Sequence, residues 1–519
     1  MTDHAESEFR LAELIASLSL ATDLGLGQPE EHVLRQTVIA TRLAAAAGLS
    51  REEQAAAFYV SLLAWVGCVA DSHEMAQWFG DDRQLRADSY FIDKAGLPMM
   101  RFLLGRLGPG QPPLHRLTMA GRFLAGGFRD AMNTFVTHCQ TTADIAERLQ
   151  LHADVRGALP QAFERWDGKG LPDGLRGAQI SAVMRVVQIA DDAEMYCRVG
   201  GSRAAVDMLR ARGGTEFDPD LVDLCDRYRA EILDDIDTVD AWSVVIDGCA
   251  ALDRPLPEAD LTAVLEIFAD YADLKAPCFL GHSRATAALA GEAAHRTGLS
   301  ADDAELVTQA ALVCRLGTIG VSTGIWNKPG PLSRSEWERV RMVPYLTERV
   351  LARSPRLARV GAIASLCHER LDGSGYPHGL SGNAIPFPAR LLAAAEMYQA
   401  LGEDRPHRPA VPPAERTTVL LAEVTAGRLD AEAVRGVLAA AGHHVPRRPH
   451  QIAGLTAREL EILELLVRGR TNKEIARQLS ITPRTAGSHI EHIYTKIGVT
   501  TRGAAAMYAM RHGLITADH

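Results

Sequence analysis

A row of polar side chains near the carboxyl end of the chain recurs at the spacing of one helix face. Arg484, Ser488 and His492 follow one another at intervals of four residues, and Thr485 lies beside the first of them. Residues three or four apart share a helix face. Guanidinium, hydroxyl and imidazole groups bind phosphate oxygens and the edges of nucleic-acid bases. The pattern therefore indicates a helix that presents one polar face to DNA.

Short helices must hold that face in place. Apolar residues at helical spacing predict a first helix of about three turns that Gly469 ends. Asn472 is expected to cap a second short helix, and Ser480-Ile481 to form the tight turn after it. Thr482 followed by Pro483 predicts the start of a third helix that runs to about Lys496. The side chains expected inside are Leu460, Leu463, Leu466, Val467, Ile475, Ala476, Leu479, Ala486, Ile490, Ile493 and Ile497. Two short helices joined by a tight turn, the second with an exposed polar face, are typical of a helix-turn-helix.

This segment resembles the DNA-binding domain of LuxR-type transcription regulators. The matching residues are Leu455-Thr456, Arg458-Glu459, Gly469, Asn472-Lys473-Glu474-Ile475-Ala476, Leu479, Thr485, His489, Ile493, Lys496, Gly498-Val499 and Arg502. The resemblance implies a four-helix domain over residues 455–519, double-stranded DNA as a partner, and a homodimer on a partly palindromic site. The alternative is a four-helix packing module that never meets DNA.

The resemblance also assigns roles to exposed side chains of the segment. Phosphate contacts are expected from Lys473, Arg484 and Lys496, and base-edge contacts from Thr485, Ser488 and His492. Gly487 and Glu491 stand where the family often has basic residues. A glycine inside a helix costs roughly 1 kcal/mol relative to alanine, and a carboxylate repels phosphate unless it accepts a hydrogen bond from cytosine. We therefore expect a modest affinity for DNA.

The distribution of charge supports this assignment. Residues 455–519 hold nine Lys or Arg against six Asp or Glu, a net charge of +3 in a chain whose net charge is −10. The remaining residues therefore sum to −13. A basic segment in an acidic chain is the electrostatic mark of a nucleic-acid contact, although +3 is weak for a DNA-binding domain.

Composition bounds the rest of the chain. With 519 residues, 47% of them hydrophobic, three or more domains are expected. Alanine and leucine are abundant and alternating β-branched runs are few, which predicts an all-α architecture. No apolar run reaches the length of about eighteen residues that a membrane span needs, and the first residues are acidic and polar, so we expect a cytoplasmic protein. The eight cysteines form no CxxC pair, which argues against a disulfide framework and a zinc ribbon.

An internal repeat organises the first 441 residues. The sequence FERWDGKGLPDGLRGAQIS from residue 163 returns as HERLDGSGYPHGLSGNAIP from residue 368, an offset of 205. Upstream, His32 matches His282 at an offset of 250. The chain therefore holds two copies of one helical domain, and the first copy has 45 extra residues. We expect this insertion within about residues 75–150, where Leu107 to His115 predicts a loop.

The two copies resemble the HD-GYP domain, a helical subfamily of the HD metal-dependent phosphohydrolases. The residues that carry the resemblance in the second copy are Gly281-His282-Ser283, Lys328-Pro329-Gly330-Pro331-Leu332, Glu336, Pro344, His368-Glu369, Asp372-Gly373-Ser374-Gly375-Tyr376-Pro377, Gly379-Leu380 and Gly382. The resemblance implies hydrolysis of a phosphodiester, typically cyclic di-GMP, at two or three metal ions held by histidines and aspartates. Such metals lower the pKa of a bound water and neutralise phosphoryl oxygens.

The second copy departs from the metal ligands that this resemblance implies. His282 stands at the first histidine position, but Cys314-Arg315 replaces the His-Asp pair and Val343 replaces a further histidine. Cys367-His368 stands at a His-His pair, and Glu396 replaces an aspartate. Because a cation at Arg315 repels metal ions, we expect no two-metal site, no catalytic residue and no metal cofactor.

The residual pocket of His282, Arg315, His368 and Glu396 has three interpretations. Its polar residues are relics hydrogen-bonded inside a helical core, or they hold one residual metal ion. In the third interpretation they bind a nucleotide or phosphate effector through Arg315, since arginine pairs bidentately with phosphate oxygens.

The first copy keeps fewer of the implied ligands. His32 and Asp191 remain, whereas Ala64-Trp65 and Ala162-Phe163 replace the ligand pairs and Leu171 replaces the tyrosine of the glycine-tyrosine-proline signature. A separate acidic cluster is formed by His73-Glu74 with Asp71 and Asp81-Asp82. It offers a different metal site or, as such runs more often do, a solvated helix face.

The sequence thus predicts an all-α protein of two tandem HD-like domains followed by a helix-turn-helix. The expected boundaries are 1–235 for the first copy, 236–441 for the second, 442–454 for a linker that includes Arg447-Arg448, and 455–519 for the DNA-binding domain. The function we expect is a cytoplasmic, homodimeric transcription regulator with a catalytically degenerate sensory or dimerising body that takes a small-molecule or nucleotide effector. The alternatives are a metal-dependent cyclic dinucleotide phosphodiesterase or phosphohydrolase with a DNA-binding tail, and a protein-interaction adaptor.

Overall fold

Helices build almost the whole structure. The computed structural model describes residues 9–93, 96–248, 255–257, 260–443 and 455–511. In these residues the extended segments are two short strands, β1 (Phe9–Arg10) and β2 (Pro255–Leu256), which pair antiparallel. The chain divides into two compact units after His443. The predicted all-α class is confirmed, while the linker from His444 to Gly454 and its Arg447-Arg448 lie outside the described residues.

Thirteen α-helices lie in the described ranges up to Gly248, twelve of them in the first copy and the last one just past its expected boundary at residue 235. They are α1 (Leu11–Leu26), α2 (His32–Ala46), α3 (Arg51–Leu63), α4 (Ser72–Phe79), α5 (Asp82–Ser89), α6 (Gly96–Arg106), α7 (Pro113–Arg122), α8 (Phe128–Arg148), α9 (Ala153–Ala158), α10 (Ala182–Arg212), α11 (Pro219–Arg227), α12 (Arg229–Ile232) and α13 (Ala241–Gly248). Local signals fix several starts. Ser50, for example, forms a capping box with Glu53 at the start of α3.

Ten further helices of the second copy lie within the described ranges. They are α14 (Leu261–Asp273), α15 (His282–Arg296), α16 (Ala301–Val313), α17 (Thr323–Trp326), α18 (Arg334–Arg341), α19 (Val343–Leu351), α20 (Pro355–Ala364), α21 (Phe387–Leu401), α22 (Pro413–Thr425) and α23 (Ala431–Ala440). Helices α14, α15 and α16 begin 250 residues after α1, α2 and α3, and α21 begins 205 residues after α10. The repeat read from the sequence is therefore a repeat of helices.

Matching contacts locate the insertion of the first copy. The backbone N–H of Gly67 donates to Thr142 Oγ1 at 3.1 Å, and that of Gly317 donates to Thr347 Oγ1 at 2.9 Å. The glycines are 250 residues apart and the threonines 205, so the extra residues lie between Gly67 and Thr142. Helices α5, α6 and α7 fill that interval and have no counterpart in the second copy.

A close helix approach explains both glycines. A Cβ on Gly67 would lie 2.3 Å from the carbonyl oxygen of His138, and one on Gly317 would lie 2.1 Å from that of Val343. These separations are shorter than any van der Waals contact, so neither position admits a side chain. His138 and Val343 are themselves 205 residues apart, which makes the two approaches equivalent.

The loop predicted from Leu107 to His115 is shorter in the structure. Helix α6 ends at Arg106 and α7 already begins at Pro113. Proline suits the first helical position because its missing N–H would have no partner there. The proline that suggested a loop is thus the first residue of a helix.

The second unit is a small four-helix domain with its own core. Its helices are α24 (Ala457–Val467), α25 (Asn472–Gln478), α26 (Pro483–Ile497) and α27 (Arg502–Arg511). Its buried core consists of Leu455, Ile462, Leu463, Leu466, Ile475, Ala476, Ala486, Ile490, Ile493, Ile497, Ala505 and Ala509. Thr482 accepts from the N–H of Thr485 at 3.1 Å and caps α26 as predicted. The predicted cap at Asn472 is wrong by one residue, because Thr471 caps α25 in a capping box with Glu474.

No single helix in the described part of the chain is long and apolar enough to cross a membrane. Two consecutive helical segments, Arg51–Val69 and Ser72–Phe79, are together long and apolar enough, but their axes are bent by 54° relative to each other.

Candidate functional sites

The polar row predicted from the sequence lies on one face of α26. Arg484, Thr485, Ser488 and His492 are all exposed, and the opposite face is buried in the core of the second unit. Helix α26 follows α25 after a short turn in which Ser480 has a φ of 55°. This is the helix-turn-helix arrangement, and its second helix offers donors to solvent.

The two lysines assigned to phosphate contacts differ in their surroundings. Lys473 is exposed on α25 and forms no ion pair within the described part of the chain. Lys496 Nζ instead lies 2.7 and 2.9 Å from the two carboxylate oxygens of Glu459. Although burial of Glu459 acts in the opposite direction, Lys496 and Thr456 lower the pKa of Glu459 to about 2. The charge of Lys496 is therefore balanced inside the domain, whereas that of Lys473 is not.

Gly487 has room for a side chain. The nearest atom to a Cβ at this position would be Asn472 Nδ2 at 3.7 Å, an ordinary contact distance. Packing therefore does not require glycine in the middle of α26. Glu491, the other departure noted in the sequence, is exposed on the same helix.

The four residues of the residual pocket in the second copy do come together. Glu396 on α21 is the centre: Arg315 Nη1 donates to its Oε1 at 3.2 Å, and His282 Nε2 and His368 Nδ1 each lie 3.9 Å from a carboxylate oxygen. Burial alone would raise the pKa of Glu396, but His368, Arg315 and His282 lower it to about 2. An ionised carboxylate is thus held among three cationic or potentially cationic groups.

Aromatic rings hold Arg315 in place. Its guanidinium carbon lies 4.3 Å from the centroid of Phe279 and 6.0 Å from that of Trp326. Its Nε is buried and has no hydrogen-bond partner in the described residues. The side chain is therefore fixed against Glu396, and its buried Nε–H donor is unused.

Two further members of this pocket, Glu403 and Arg405, were not predicted from the sequence. Glu403 accepts from His282 Nδ1 at 2.8 Å and from Arg405 Nη2 at 2.7 Å. Arg405 also donates to the carbonyl oxygen of Cys278 at 2.8 Å. The internal repeat could not reveal Glu403, because its counterpart at the offset of 205 is Arg198.

The corresponding place in the first copy has a different composition. His32 Nε2 lies 3.2 Å from Asp191 Oδ1, and His32 Nδ1 forms a short contact with Glu194. Tyr90, which follows α5 of the insertion, donates its hydroxyl to Asp191 Oδ1 at 3.2 Å. Although burial would lower it, the two carboxylates raise the pKa of His32 well above its usual value. The surviving His32 and Asp191 are thus joined in one buried ion pair.

His138 is a candidate that the sequence reasoning missed. It lies 205 residues before Val343, the position that the resemblance assigned to a further histidine, so the repeat offset could have found it. Its Nε2 lies 2.8 Å from the carbonyl oxygen of Ala64, and its Nδ1 is buried without a partner in the described residues. Burial lowers the pKa of His138 to about 4, so this imidazole is neutral.

The acidic cluster of the first copy is only partly solvated, because Glu74 is exposed while Asp71 and Asp82 are not. Asp71 and Asp82 are buried, and Arg86 pairs with both of them. Lys275 Nζ of the second copy lies 2.6 Å from Asp82 Oδ2, and both side chains are fully buried. The expectation of a solvated face is therefore wrong for these two carboxylates, since Arg86 and Lys275 pair with them in the interior.

The chain matches two known protein families. Residues 129–221 and 266–433 match the HD domain, and together they make up just over half of the chain. The chain belongs to the HD domain family. The first matched stretch begins after the insertion of the first HD copy, and the second lies within the second HD copy. Residues 453–509 match the LuxR family of bacterial regulatory proteins, which confirms the predicted resemblance of the C-terminal segment.

Relatives of this HD protein are cyclic dinucleotide phosphodiesterases. It is 28% identical over 412 residues to the 3'3'-cGAMP-specific phosphodiesterase 3 of Vibrio cholerae serotype O1, which covers 79% of this chain and 90% of that protein. It is 32% identical over 184 residues to phosphodiesterase 1 of the same organism, covering 35% and 42%. A crystal structure of the V. cholerae cyclic GMP-AMP-specific phosphodiesterase V-cGAP3 matches with a TM-score of 0.59 and 25% identity, over 85% of this chain and 99% of that one. The predicted HD-GYP-like fold is confirmed.

The signature loop of both HD copies is built around a buried glutamate. Glu369 accepts from the backbone N–H groups of three residues of its loop, at 2.7 Å from His378, 3.2 Å from Gly379 and 2.9 Å from Leu380. Glu164 accepts in the same way at 2.7, 3.1 and 2.8 Å. A Cβ on Gly375 would lie 2.5 Å from the Cα of Glu369, so this loop position requires glycine. Hydrogen bonds from backbone N–H groups to one carboxylate thus hold the loop in its conformation.

The metal centre that the HD family implies has few donors here. Among the described residues no group of three or more His, Cys, Asp or Glu side chains is arranged to hold a metal ion. In the second HD copy a guanidinium hydrogen-bonds to the carboxylate at the centre of the pocket. In the first HD copy Trp65, 250 residues before Arg315, donates its Nε1 to Gln36 at 3.1 Å.

Proposed function

We propose that this protein is a DNA-binding transcription regulator whose two HD copies form a catalytically degenerate sensory and dimerising body. The observation that carries the proposal is the exposed polar face of α26, with Arg484, Thr485, Ser488 and His492 opposite a buried apolar face. A LuxR family domain supports transcription regulation as the output. The protein acts in the cytoplasm, where its DNA is, and as a homodimer, because one small helix-turn-helix has limited affinity alone.

The proposed division of the chain follows the repeat and the two compact units. The first HD copy spans 1–235, the second 236–441, and a linker at 442–454 leads to the DNA-binding domain at 455–519. Lys473, Arg484 and Lys496 contact phosphates, and Thr485, Ser488 and His492 contact base edges. Because Glu459 already pairs with Lys496, Lys473 and Arg484 supply most of the electrostatic attraction.

Degeneracy of the HD copies is supported by the environment of Glu396. A metal bound there would have to displace Arg315, which is packed against Phe279 and hydrogen-bonded to the carboxylate. The approach of a divalent cation to a buried guanidinium is unfavourable. His282 and His368 therefore serve as ion-pair partners of Glu396 and Glu403, and a phosphate effector would reach Arg315 only in competition with Glu396.

DNA binding is tested with a duplex that the full-length protein selects from a random pool. Replacing Lys473 with alanine should weaken binding to the selected duplex and to an unrelated duplex by the same factor. It should also reduce the slope of log affinity against log salt by about 0.9, the value for one phosphate contact. Arg334→Ala, an exposed charge on the second HD copy, is the matched control and should leave the slope unchanged. A change in sequence preference with Lys473→Ala would refute its assignment to phosphate.

The second candidate is a metal-dependent phosphodiesterase, which the names of the relatives favour. Elemental analysis of the purified protein, together with hydrolysis assays on 3'3'-cGAMP and cyclic di-GMP, separates the two. We expect neither bound transition metal nor turnover. If the protein hydrolyses either substrate and His368→Ala abolishes that hydrolysis, the protein is a phosphodiesterase and the proposal that the HD copies are catalytically degenerate is wrong. An adaptor function would instead show as a protein partner that the full chain binds in the absence of DNA.

A further inference from the structure

A cavity of about 210 Å³ lies beside Asp191 in the first HD copy. Its walls are mainly aromatic and aliphatic, and the large side chains among them are Trp65, Phe79, Met99, Phe102, Phe135 and Phe163. An engineered protein cavity of about 150 Å³ with apolar walls binds benzene. The space here is therefore sufficient for one aromatic ring or two fused rings.

The internal repeat shows how this cavity arises. Trp65, Ala162 and Phe163 line it, and their counterparts in the second HD copy are Arg315, Cys367 and His368. Arg315 and His368 belong to the polar pocket around Glu396. The same place in the fold is thus charged in one HD copy and aromatic in the other.

The insertion completes the wall of the cavity. Tyr90 follows α5, and Met99, Phe102 and Leu103 lie on α6, so all four belong to the segment that the second HD copy lacks. Helix α6 packs its apolar side chains toward Phe79 and Phe123 of the same copy. The insertion therefore closes the cavity with side chains from a segment that the second HD copy lacks.

The polar groups at the cavity favour an uncharged ligand with a hydrogen-bond donor. Asp191 Oδ1 already accepts from Tyr90 and contacts His32, while its Oδ2 has no partner in the described part of the chain. Arg86 is paired with Asp71, and burial raises the pKa of the Cys68 thiol to about 12, which keeps it neutral. The other two cations at the cavity, Arg165 and Lys169, both pair with Asp167. An anionic ligand would have to compete with these carboxylates, whereas a phenol or indole N–H could donate to Asp191.

We propose that the first HD copy binds a neutral aromatic molecule of one or two rings, whose hydroxyl or N–H donates to Asp191. Binding does not depend on the proposed function, but its role as an effector rests on that function. The cavity also touches the ion-pair network that reaches the second HD copy: Arg86 binds Asp82, and Asp82 binds Lys275. A ligand in the cavity therefore lies next to an ion-pair network with members in both HD copies.

The test is isothermal titration of full-length protein with 2-naphthol, indole and naphthalene. We expect 2-naphthol to bind one-to-one with a dissociation constant of about 100 µM or tighter, as its size allows. Naphthalene lacks the donor and should bind about tenfold more weakly. Absence of binding by all three molecules at their solubility limits would overturn the proposal, and so would displacement of bound 2-naphthol by 3'3'-cGAMP or cyclic di-GMP, because it would show an anion site.

Two neighbouring substitutions locate the binding. Leu103 lines the cavity, whereas Leu104 on the same helix does not, and both are half-buried. Leu103→Trp should fill the space and weaken 2-naphthol at least tenfold, while Leu104→Trp should leave its affinity within twofold of the wild type. Equal affinities in the two variants would place the ligand elsewhere and refute the site.

A DNA-binding titration with and without 2-naphthol separates this inference from the proposed function. If 2-naphthol binds and DNA does not bind under any condition, the proposed regulator function is wrong and the aromatic site is supported. If DNA binds and 2-naphthol does not, the aromatic site is wrong and the regulator function is supported. A change of DNA affinity that Leu103→Trp abolishes would support both.

Discussion

The pair of Lys275 and Asp82 gives the most direct test of how the two HD copies are joined. Lys275 lies at the end of α14 in the second copy, and Asp82 begins α5 in the insertion of the first. Their charged atoms are 2.6 Å apart and both side chains are fully buried. We predict that Lys275→Met strongly destabilises the first unit.

The magnitude follows from the contacts that remain. In Lys275→Met, Asp82 keeps Arg86 Nη1 at 3.0 Å and the Thr323 N–H at 2.9 Å. Breaking a buried ion pair costs about 3–5 kcal/mol, and this residual pairing places the variant near about 3 kcal/mol. Asp82→Asn should cost more, near about 5 kcal/mol, because Lys275 has no other acceptor in the described residues. The double variant Lys275→Met/Asp82→Asn leaves no unpaired buried charge at this pair. Its loss of unfolding free energy should therefore be smaller than the sum of the two single losses by about 2 kcal/mol or more.

Urea unfolding followed by tryptophan fluorescence measures these free energies. All six tryptophans precede residue 443, so the signal reports the first unit alone. Lys328→Met, which removes a half-exposed partner of Glu336, is the matched control and should change the unfolding free energy by less than about 1 kcal/mol. A loss below about 1 kcal/mol for Lys275→Met, or single effects that simply add, would refute the reasoning that this pair holds the copies together.

Three further outcomes follow from the geometry. Gly487→Ala should stabilise α26 by about 1 kcal/mol, since its Cβ has room, and should slow amide hydrogen exchange in that helix; faster exchange would show strain. Glu369→Gln should weaken the signature loop by about 2 kcal/mol, seen as faster exchange of the His378 and Leu380 amides, and unchanged exchange would mean that the loop holds without the carboxylate. Because the pKa of His32 is raised in the folded protein, its contribution to stability is complete below about pH 6.5 and declines as the pH rises above that value. The difference in unfolding free energy between wild type and His32→Gln should therefore shrink above neutral pH, and parallel pH profiles would contradict the assignment.

Local signals explain why the DNA-binding domain could be predicted in detail. Its first three helices each begin at a threonine cap, so the sequence within a few residues determines each start. The error at Asn472, in place of Thr471, concerns two adjacent residues that both cap well. Three side chains expected inside the domain, Leu460, Val467 and Leu479, are only partly buried. The spacing of Thr471 and Glu474 as a capping box was the signal that distinguishes them.

Contacts distant in sequence explain what could not be predicted. Asp82 looks solvated in the sequence because its buried partner Lys275 is 193 residues away. Tyr90 reaches Asp191 from an insertion that has no counterpart with which to compare it. Only the fold brings such residues together, so composition and periodicity could not indicate the aromatic cavity.

The loop around Glu369 has a consequence for how members of this fold are recognised. Its glutamate binds amides of its own loop, and its Gly375 is required by a backbone approach. None of these contacts involves a metal ligand, so selection for a folded loop is enough to preserve the glycine and proline pattern over generations. The pattern by itself is therefore a sign of the loop's architecture, and activity has to be judged from the side chains at the metal-ligand positions.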